Sequence, residues 1–209
     1  MYIYLVRHGE TDWNRERRIQ GSTDIPLNET GRAQARATGS LLARRRWSGI
    51  FASPLSRAME TAEIIADMVG LPAPLPVPAI VERNYGAAEG CTDEEIDALY
   101  PADVNVPGRE PREAVAQRVV PALVRLAEEH HGESIIVVAH GGVIATVLAA
   151  VAPEQPFGRI RNGSVHSFRH DEGTLTLIDF DDPIEEQSEL QGGEDFEAQN
   201  ALARRERDG

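Results

Sequence analysis

An arginine and a histidine stand side by side at the end of the chain's first apolar run. Residues 2–6, Tyr-Ile-Tyr-Leu-Val, have the length and composition of a buried strand, and Arg7, His8 and Gly9 follow directly. The edge where the strands of an α/β sheet end is where such folds bind ligands. Imidazole is a good nucleophile near neutral pH while one ring nitrogen is unprotonated, and a neighbouring cation opposes its protonation. The first strand is therefore predicted to deliver an imidazole and a cation to one edge of the sheet.

Three more chemically capable residues also follow strand-like segments. Arg57 comes after the apolar residues 49–53 and lies in the first turn of a helix predicted over 55–69. Glu82 ends a short extended segment, and His140 follows the most continuous apolar run of the chain, Ser-Ile-Ile-Val-Val-Ala. Because each of these residues lies at the end of an element, the fold is expected to bring them to one mouth.

Two motifs carry a resemblance to a known family. Residues 7–14 read Arg-His-Gly-Glu-Thr-Asp-Trp-Asn, and residues 52–62 read Ala-Ser-Pro-Leu-Ser-Arg-Ala-Met-Glu-Thr-Ala. Together they resemble the signatures of the histidine phosphatase (phosphoglycerate mutase-like) superfamily, and the resemblance extends from Tyr2 to about Phe180. The phosphatase-type members of this family are the most similar.

The resemblance assigns roles to five residues. It implies that His8 is a nucleophile that becomes phosphorylated, and that Arg7, Arg57 and His140 surround the transferred phosphoryl group. Guanidinium and imidazole donors can stabilise the phosphoryl oxygens without a metal, so neither a metal nor a cofactor is expected. Glu82 matches the family's proton donor.

A proton donor is needed because an alkoxide leaves poorly. A carboxylic acid can protonate the bridging oxygen, and the same group, once ionised, can then activate water. Glu10 and Glu89 are alternative candidates for this role, but the Glu-Arg-x-Tyr-Gly context favours Glu82. The resemblance further implies phosphate contacts, which come from four residues: Asn14, Gln20, Gly21 and Gly141.

These motifs predict a phosphomonoesterase that acts on a small phosphorylated metabolite. The loop over residues 19–27 is similar to that of the family's phosphatases, and the segment between Glu82 and His140 is too short for the cap of the mutases, so water can enter. Residues 82–86 instead resemble the mutases, which suggests that Arg83 and Tyr85 grip a carboxylate beside the phosphate. A cofactor-dependent phosphoglycerate mutase is therefore the alternative, followed by a non-catalytic phospho-ligand-binding module.

The expected fold is an α/β three-layer sandwich, with a mostly parallel central sheet, helices on both faces and an antiparallel edge hairpin formed by residues 165–168 and 175–180. Thr30 is the predicted cap of a helix whose inward face contains Ala33, Ala37, Leu41 and Leu42. The catalytic domain is predicted over residues 1–182. An acidic tail, residues 183–209, contains a candidate helix at 194–207.

Composition excludes several classes of protein. A net charge of -13 argues against nucleic-acid or acidic-membrane partners. Cys91 is the only cysteine, and all 21 basic residues are arginine, so an intramolecular disulfide, a cysteine-rich metal site and Schiff-base lysine chemistry are excluded. The N-terminal apolar run over residues 2–6 is shorter than a signal-peptide core, and no segment approaches the length of a membrane span. The sequence therefore favours a cytoplasmic enzyme, and a homodimer is compatible with it.

Overall fold

A six-stranded mixed sheet forms the centre of the molecule. The computed structural model describes residues 1–101 and 104–184, so the candidate tail helix at 194–207 lies outside the described residues. The strands are β1 (Tyr2–Arg7), β2 (Gly49–Ala52), β3 (Leu75–Pro76), β4 (Ser134–Ala139), β5 (Val165–Asp171) and β6 (Thr174–Asp179). Their order is β3-β2-β4-β1-β5-β6; the first four run parallel, whereas β5 and β6 are antiparallel. This arrangement confirms the predicted fold class.

Helices cover both faces of this sheet. They are α1 (Asp12–Arg15), α2 (Glu29–Leu42), α3 (Ser56–Val69), α4 (Asp93–Leu99), α5 (Arg112–Glu129) and α6 (Gly141–Val151). Along β1, the side chains of Ile3 and Leu5 pack with α5 and α6, and those of Tyr4 and Val6 pack with α2 and α3. This alternation follows from the two-residue period of a strand and makes β1 a central strand buried on both faces.

The start and the buried face of α2 differ from the prediction. Asn28, not Thr30, is the N-cap, and its side chain accepts a hydrogen bond from the backbone N–H of Gly31. Ala33 and Ala37 are exposed. Leu42 is buried as predicted, and Leu41 packs against the same cluster. The rest of the buried face consists of Gly31, Ala35, Thr38 and Gly39. A Cβ on Gly31 would lie 2.1 Å from the carbonyl oxygen of Glu10, so α2 packs through positions that carry no side chain.

The other long helices lie as the apolar spacing predicts. α3 ends at Gly70, whose φ of 73° is the left-handed conformation that favours glycine at a helix end. α5 buries Val115, Val119 and Leu123 against the sheet. Among the described residues, no helix has both the length and the apolar character needed to cross a membrane.

The packed core continues past the predicted domain boundary at residue 182. The side chain of Ile184 is fully buried in the same cluster as Tyr4, Val6 and Leu42. Its backbone N–H donates to Asp182 Oδ1 at 2.8 Å, and the Asp182 N–H donates to the Val165 carbonyl. Ile184 therefore belongs to the core of the domain.

Candidate active site

The two histidines of the predicted site meet where β1 and β4 end. These strands are parallel neighbours, and beyond their last paired residues the backbone N–H of His8 donates to the carbonyl of Ala139 at 3.0 Å. The ring centroids of His8 and His140 are 5.2 Å apart, and both rings are buried. The parallel pairing of β1 and β4 thus brings His8 and His140 together, although they are far apart in sequence. This agrees with the expectation that residues directly after the strands lie close to each other.

The hydrogen bond of the His8 ring determines which nitrogen is free. Its Nδ1 lies 2.6 Å from the carbonyl oxygen of Gly9. A carbonyl oxygen can only accept, so Nδ1 carries the ring hydrogen and Nε2 of the neutral ring keeps its lone pair. Burial holds the pKa of His8 well below its usual value, and the charges of Arg7 and Arg57 lower it further. His8 is therefore a neutral imidazole whose Nε2 keeps its lone pair.

Both arginines beside His8 are anchored to neutral backbone carbonyls. Arg7 Nη1 donates to the Ile160 carbonyl at 2.7 Å. Arg57, 1% exposed, donates to the carbonyls of Thr23 and Gly21 at 2.9 and 2.7 Å. Burial lowers the pKa of Arg7 to about 10 and also lowers that of Arg57, but a pKa of about 10 still leaves Arg7 charged at neutral pH. The two guanidiniums are thus held in place by neutral carbonyl groups, which leave their positive charges intact.

Ser53, which the sequence did not single out, orients His140. His140 caps the N-terminus of α6, and its Nε2 lies 2.7 Å from the Ser53 hydroxyl oxygen. Its Nδ1 is buried and has no hydrogen-bond partner among residues 1–101 and 104–184. The pKa of His140 is held well below its usual value by burial first and then by nearby charges, so this ring is also neutral.

Backbone N–H groups hold the carboxyl group of Glu82 at the mouth of the site. Its Oε1 accepts from the N–H of Arg83 at 2.8 Å, and its Oε2 accepts from the N–H of Gly142, at the start of α6, at 2.9 Å. Burial raises the pKa of Glu82, although both hydrogen bonds and the two site arginines oppose the rise. The raised pKa increases the protonated fraction of this carboxyl group.

The two alternative acids have other partners. The Glu89 carboxylate accepts from the backbone N–H groups of Ser22, Thr23 and Tyr85, and from both hydroxyls of the first two. Burial alone would raise the pKa of Glu89, but these hydrogen bonds together outweigh it and lower the pKa, which favours the ionised form. Glu10 accepts from the Asn28 side chain at 2.9 Å. Glu89 therefore holds the loop whose Gly21 and Thr23 carbonyls bind Arg57. Of the three acids, Glu82 is the one that lines the cavity.

The four predicted phosphate-contact residues line the same cavity as His8. This cavity has a volume of about 400 Å³, and its walls include Asn14, Gln20, Gly21 and Gly141. Asn162, which sequence analysis missed, donates to the His8 carbonyl and to Asn14 Oδ1 at 3.0 and 3.2 Å. The predicted catalytic residues Arg7, His8, Arg57 and Glu82 line this cavity as well. His140 is not among the lining residues, but its ring is adjacent to that of His8.

The two predicted substrate-binding residues have different positions. Tyr85 lines the cavity, whereas Arg83 is not among the lining residues. The Arg83 guanidinium stacks over the Tyr85 ring at 5.3 Å, and its Nε donates to the Glu110 carbonyl at 2.7 Å. Arg83 therefore packs against the ring of Tyr85 and does not itself line the cavity. Arg18 and Arg159, which the sequence analysis passed over, lie in the cavity wall instead.

Metal-binding side chains do not gather at the site. Within the described residues, no group of three or more His, Cys, Asp or Glu side chains is arranged to hold a metal ion. The positive charge beside His8 comes from Arg7 and Arg57.

Known proteins match both the sequence and the fold. The family model of the histidine phosphatase superfamily (branch 1) matches residues 3–183. The uncharacterized phosphatase PhoE of Bacillus subtilis is 37% identical over 181 residues, 85% of this chain and 93% of the relative. The metal-independent phosphoserine phosphatase of Arabidopsis thaliana is 36% identical over 176 residues, 78% of this chain and 74% of the relative. Other relatives carry phosphoglycerate mutase names.

A solved structure agrees with these relatives. A mycobacterial glucosyl-3-phosphoglycerate phosphatase in complex with VO3 superposes with a TM-score of 0.77 at 29% identity, covering 86% of this chain and 98% of that chain. The chain therefore belongs to the histidine phosphatase superfamily. Within it, the phosphatase relatives and structural neighbours identify a hydrolase of phosphoric monoesters and favour it over a mutase.

Proposed function

We propose that the chain hydrolyses a small phosphorylated metabolite through a covalent phosphohistidine on His8. Nε2 of His8 attacks phosphorus, and a P–N bond forms as the P–O bond to the alcohol breaks. The observation that carries this proposal is the 2.6 Å hydrogen bond between His8 Nδ1 and the Gly9 carbonyl, because it leaves Nε2 unprotonated. The lowered pKa of His8 supports the same role, since it keeps the buried ring neutral.

Three side chains are proposed to stabilise the phosphoryl group during its transfer to His8. Arg7 and Arg57 supply charges that are already fixed by backbone carbonyls, so little reorganisation accompanies the reaction. His140 supplies an Nδ1 donor, provided that Ser53 donates its hydroxyl hydrogen to Nε2. These donors would match the negative charge on the phosphoryl oxygens, and we propose that no metal is required.

Glu82 is proposed to act first as an acid and then as a base. In the first step, its carboxyl proton passes to the departing alcohol oxygen. In the second step, the ionised Glu82 takes a proton from water, whose oxygen attacks the phosphorus and releases inorganic phosphate and the free His8 ring. The raised pKa and the fixed position between two backbone N–H groups support this double role.

The test of this mechanism is to trap the intermediate. Wild-type protein quenched in alkali within the first turnovers should carry a phosphoryl group that is stable to base, labile to acid and located on His8 by mass spectrometry. His8→Ala should carry none. The matched control is His131→Ala, because His131 is exposed and outside the cavity; it should be labelled like the wild type. An unlabelled wild type during turnover would refute the covalent mechanism.

A phosphoglycerate mutase is the second candidate. Tyr85, within the mutase-like residues 82–86, lines the cavity and supports this alternative. Incubation of 3-phosphoglycerate with a catalytic amount of 2,3-bisphosphoglycerate distinguishes the two activities. The phosphatase releases inorganic phosphate, whereas a mutase would form 2-phosphoglycerate without net release.

The free Cys91 and a metabolite substrate fit our proposal that the enzyme acts in the cytoplasm.

A further inference from the structure

Glu82 lies on a segment that regular structure does not hold. Residues 81–85 belong to no helix or strand, so no ladder of backbone hydrogen bonds fixes the main chain at Glu82. A group that transfers a proton must nevertheless lie within hydrogen-bond distance of the atom that receives it. Groups on a loop reach this accuracy only when other side chains hold the loop in place. The contacts of this segment therefore matter for the proposed acid.

Arg118, on α5, donates with all five of its N–H groups. Nη1 donates to the carbonyls of Ala79 and Val81, both at 2.7 Å, and Nη2 donates to the carbonyl of Glu82 itself at 3.3 Å. Nε and Nη2 also donate to the two carboxylate oxygens of Glu110 at 2.9 and 3.1 Å. The planar fork of a guanidinium is suited to hold several acceptors at once. One side chain thus connects α5 to three carbonyls that lead up to and include Glu82.

Glu110 holds the residues that follow Glu82. Its Oε2 accepts from the backbone N–H of Asn84 at 3.1 Å, and its own N–H donates to the Asn84 carbonyl at 2.8 Å. Its carbonyl accepts from Arg83 Nε at 2.7 Å. The ion pair of Arg118 and Glu110 therefore grips the segment on both sides of the proposed acid.

The pair is itself held by a rigid element. α5 buries Val115 and Val119 against the sheet, and Arg118 lies between these two positions along the helix. The hydrogen bond from Arg118 is the main cause that lowers the pKa of Glu110, which keeps its carboxylate ionised and the pair intact. Neither residue is among those that line the reaction cavity. Any effect of the pair on the reaction must pass through another residue.

That effect is one of position rather than of charge. The positive charge of Arg118 is paired with the carboxylate of Glu110, and its other contacts end on backbone carbonyls, not on the Glu82 carboxyl group. The charges that oppose the raised pKa of Glu82 are those of Arg57 and Arg7.

We propose that Arg118, paired with Glu110, is a positioning residue that holds Glu82 where it can protonate the leaving oxygen. This inference rests on the proposed function and adds the residues on which its acid step depends. Displacement of a reacting group by about 1 Å can cost on the order of 100-fold in rate. Loss of the pair should therefore weaken the acid step and leave binding of the phosphoryl group intact.

The test compares two leaving groups in single-turnover phosphorylation of His8. Arg118→Ala should lower the rate on alkyl phosphates by roughly 10- to 100-fold, and on nitrophenyl phosphate by less than about threefold, because nitrophenolate leaves without a proton. Arg118→Lys should recover only part of the alkyl rate, since an ammonium has three donors and no planar fork. Glu110→Gln should show the same preference with a smaller loss, because the amide keeps the shape of the carboxylate and lacks its charge.

A matched control lies on the same helix. Arg125 is exposed, about two turns farther along α5, and lines neither the reaction cavity nor the cavity beside it. Arg125→Ala should keep wild-type rates on both substrates. The inhibition constant of inorganic phosphate should stay within about threefold of wild type in Arg118→Ala, because Arg7 and Arg57 are anchored elsewhere.

The competing explanation is an electrostatic effect on His140. Burial is the main cause of the lowered pKa of His140, and Arg118 is the last of the charges that add to it. An effect through His140 would act on the phosphoryl oxygens and slow alkyl and aryl substrates alike. Equal losses on the two substrates in Arg118→Ala and Arg118→Lys, or a large rise in the inhibition constant of phosphate, would overturn the inference.

A double-mutant cycle separates this inference from the proposed function. If Arg118 acts through Glu82, adding Arg118→Ala to Glu82→Gln should cost less than about threefold more on alkyl phosphates, since the acid is already lost. Independent, multiplying losses would overturn the inference and leave the acid role of Glu82 standing. Should Glu82→Gln alone slow alkyl and aryl substrates equally, the acid role itself fails, and the inference fails with it. If Arg118→Ala does not fold, Arg118→Lys and Glu110→Gln carry the same comparison.

Discussion

The hydroxyl oxygen of Ser53 lies 2.7 Å from Nε2 of His140. Ser53 follows β2 and His140 follows β4, so the parallel pairing of these strands fixes their approach. The same oxygen accepts a long hydrogen bond, 3.4 Å, from the N–H of Leu55, which leaves its hydrogen free to donate to the imidazole. The ring hydrogen of neutral His140 is then on Nδ1, the nitrogen without a partner in the described part of the chain.

Ser53→Ala should lower kcat by roughly 5- to 10-fold, because it removes one hydrogen bond that orients a buried donor. KM for small substrates should change little. Steady-state kinetics test this expectation, with Ser48→Ala as the control, since Ser48 is exposed and its hydroxyl donates to the Ser134 carbonyl, away from the cavity lining. Unchanged kcat in Ser53→Ala would show that His140 keeps its orientation without this contact.

Glu82→Gln should lower the rate of His8 phosphorylation by roughly 10²- to 10⁴-fold on alkyl phosphates, the usual contribution of a general acid. Aryl phosphates should be affected less, because a nitrophenolate leaves without a proton. Single-turnover rates are the appropriate measurement, since steady-state rates also contain the dephosphorylation step. Glu10→Gln serves as the control. Equal losses on alkyl and aryl substrates in Glu82→Gln would rule out the acid role.

Chelation should leave turnover intact. Arg7, Arg57 and His140 are proposed to stabilise the transferred group, so a metal has no role to fill. Phosphate release is measured before and after dialysis against EDTA, and then with added Mg²⁺ or Zn²⁺. An activity that disappears in EDTA and returns with one of these ions would contradict the proposed roles of the arginines.

The buried His166 should make stability fall as the pH decreases. Its Nδ1 accepts from the Asp181 N–H at 3.1 Å, its Nε2 lies 2.9 Å from the Ser164 hydroxyl, and burial lowers its pKa to about 4, although the Asp181 charge opposes this shift. The unfolded chain takes up this proton near pH 6.5, so stability is lost between about pH 6.5 and pH 4 and is unaffected by this group above that range.

Melting temperatures at pH 7.5, 6 and 5 test this dependence. The melting temperature of the wild type should fall more between pH 7.5 and pH 5 than that of His166→Gln. The variant lacks the imidazole whose protonation favours the unfolded state. The comparison cancels the carboxylates that titrate in both proteins. Parallel melting curves for the two proteins would show that His166 does not contribute.

The residues after Ile184 should be dispensable for turnover, since none of the proposed site residues lies among them. Two truncations provide a matched pair. A chain ending at Ile184 should fold and retain activity, whereas a chain ending at Asp182 loses a fully buried side chain and should be destabilised by about 2 to 5 kcal/mol. Denaturant unfolding measures the difference. A stable but inactive chain ending at Ile184 would show that the tail helps to form the site.

The sequence predicted the sheet and the motif residues because their positions follow from short-range patterns. His8 and His140 directly follow continuous apolar strands, and parallel strands bring their ends together. Leu42 was placed correctly on the buried face of α2, but Ala33 and Ala37 were not, because apolar periodicity counts alanines, whereas this helix approaches its neighbours through glycines. A Cβ on Gly39, for example, would lie 2.6 Å from the sulfur of Met68. Close packing at a glycine does not appear in the pattern of apolar side chains from which a buried face is predicted.

The missed site residues depend on contacts between distant segments. Ser53 and His140 are 87 residues apart, and Asn162 lies 154 residues from His8, whose carbonyl it contacts. Arg159 has no local pattern that distinguishes it from the other arginines of the chain. Its position in the cavity wall, and the compensation of Arg18 by Glu16 and Glu95, become visible only once the chain is folded.

The carbonyl anchors of Arg7 and Arg57 have a consequence for how the enzyme responds to its surroundings. Because these anchors are neutral, the empty site keeps its positive charge and should accept any compact tetrahedral oxyanion that fits beside His8. Inorganic phosphate, released in every catalytic cycle, is such an ion. Turnover should therefore slow as phosphate accumulates, and the rate at which the enzyme works would be linked to the phosphate supply of the cell.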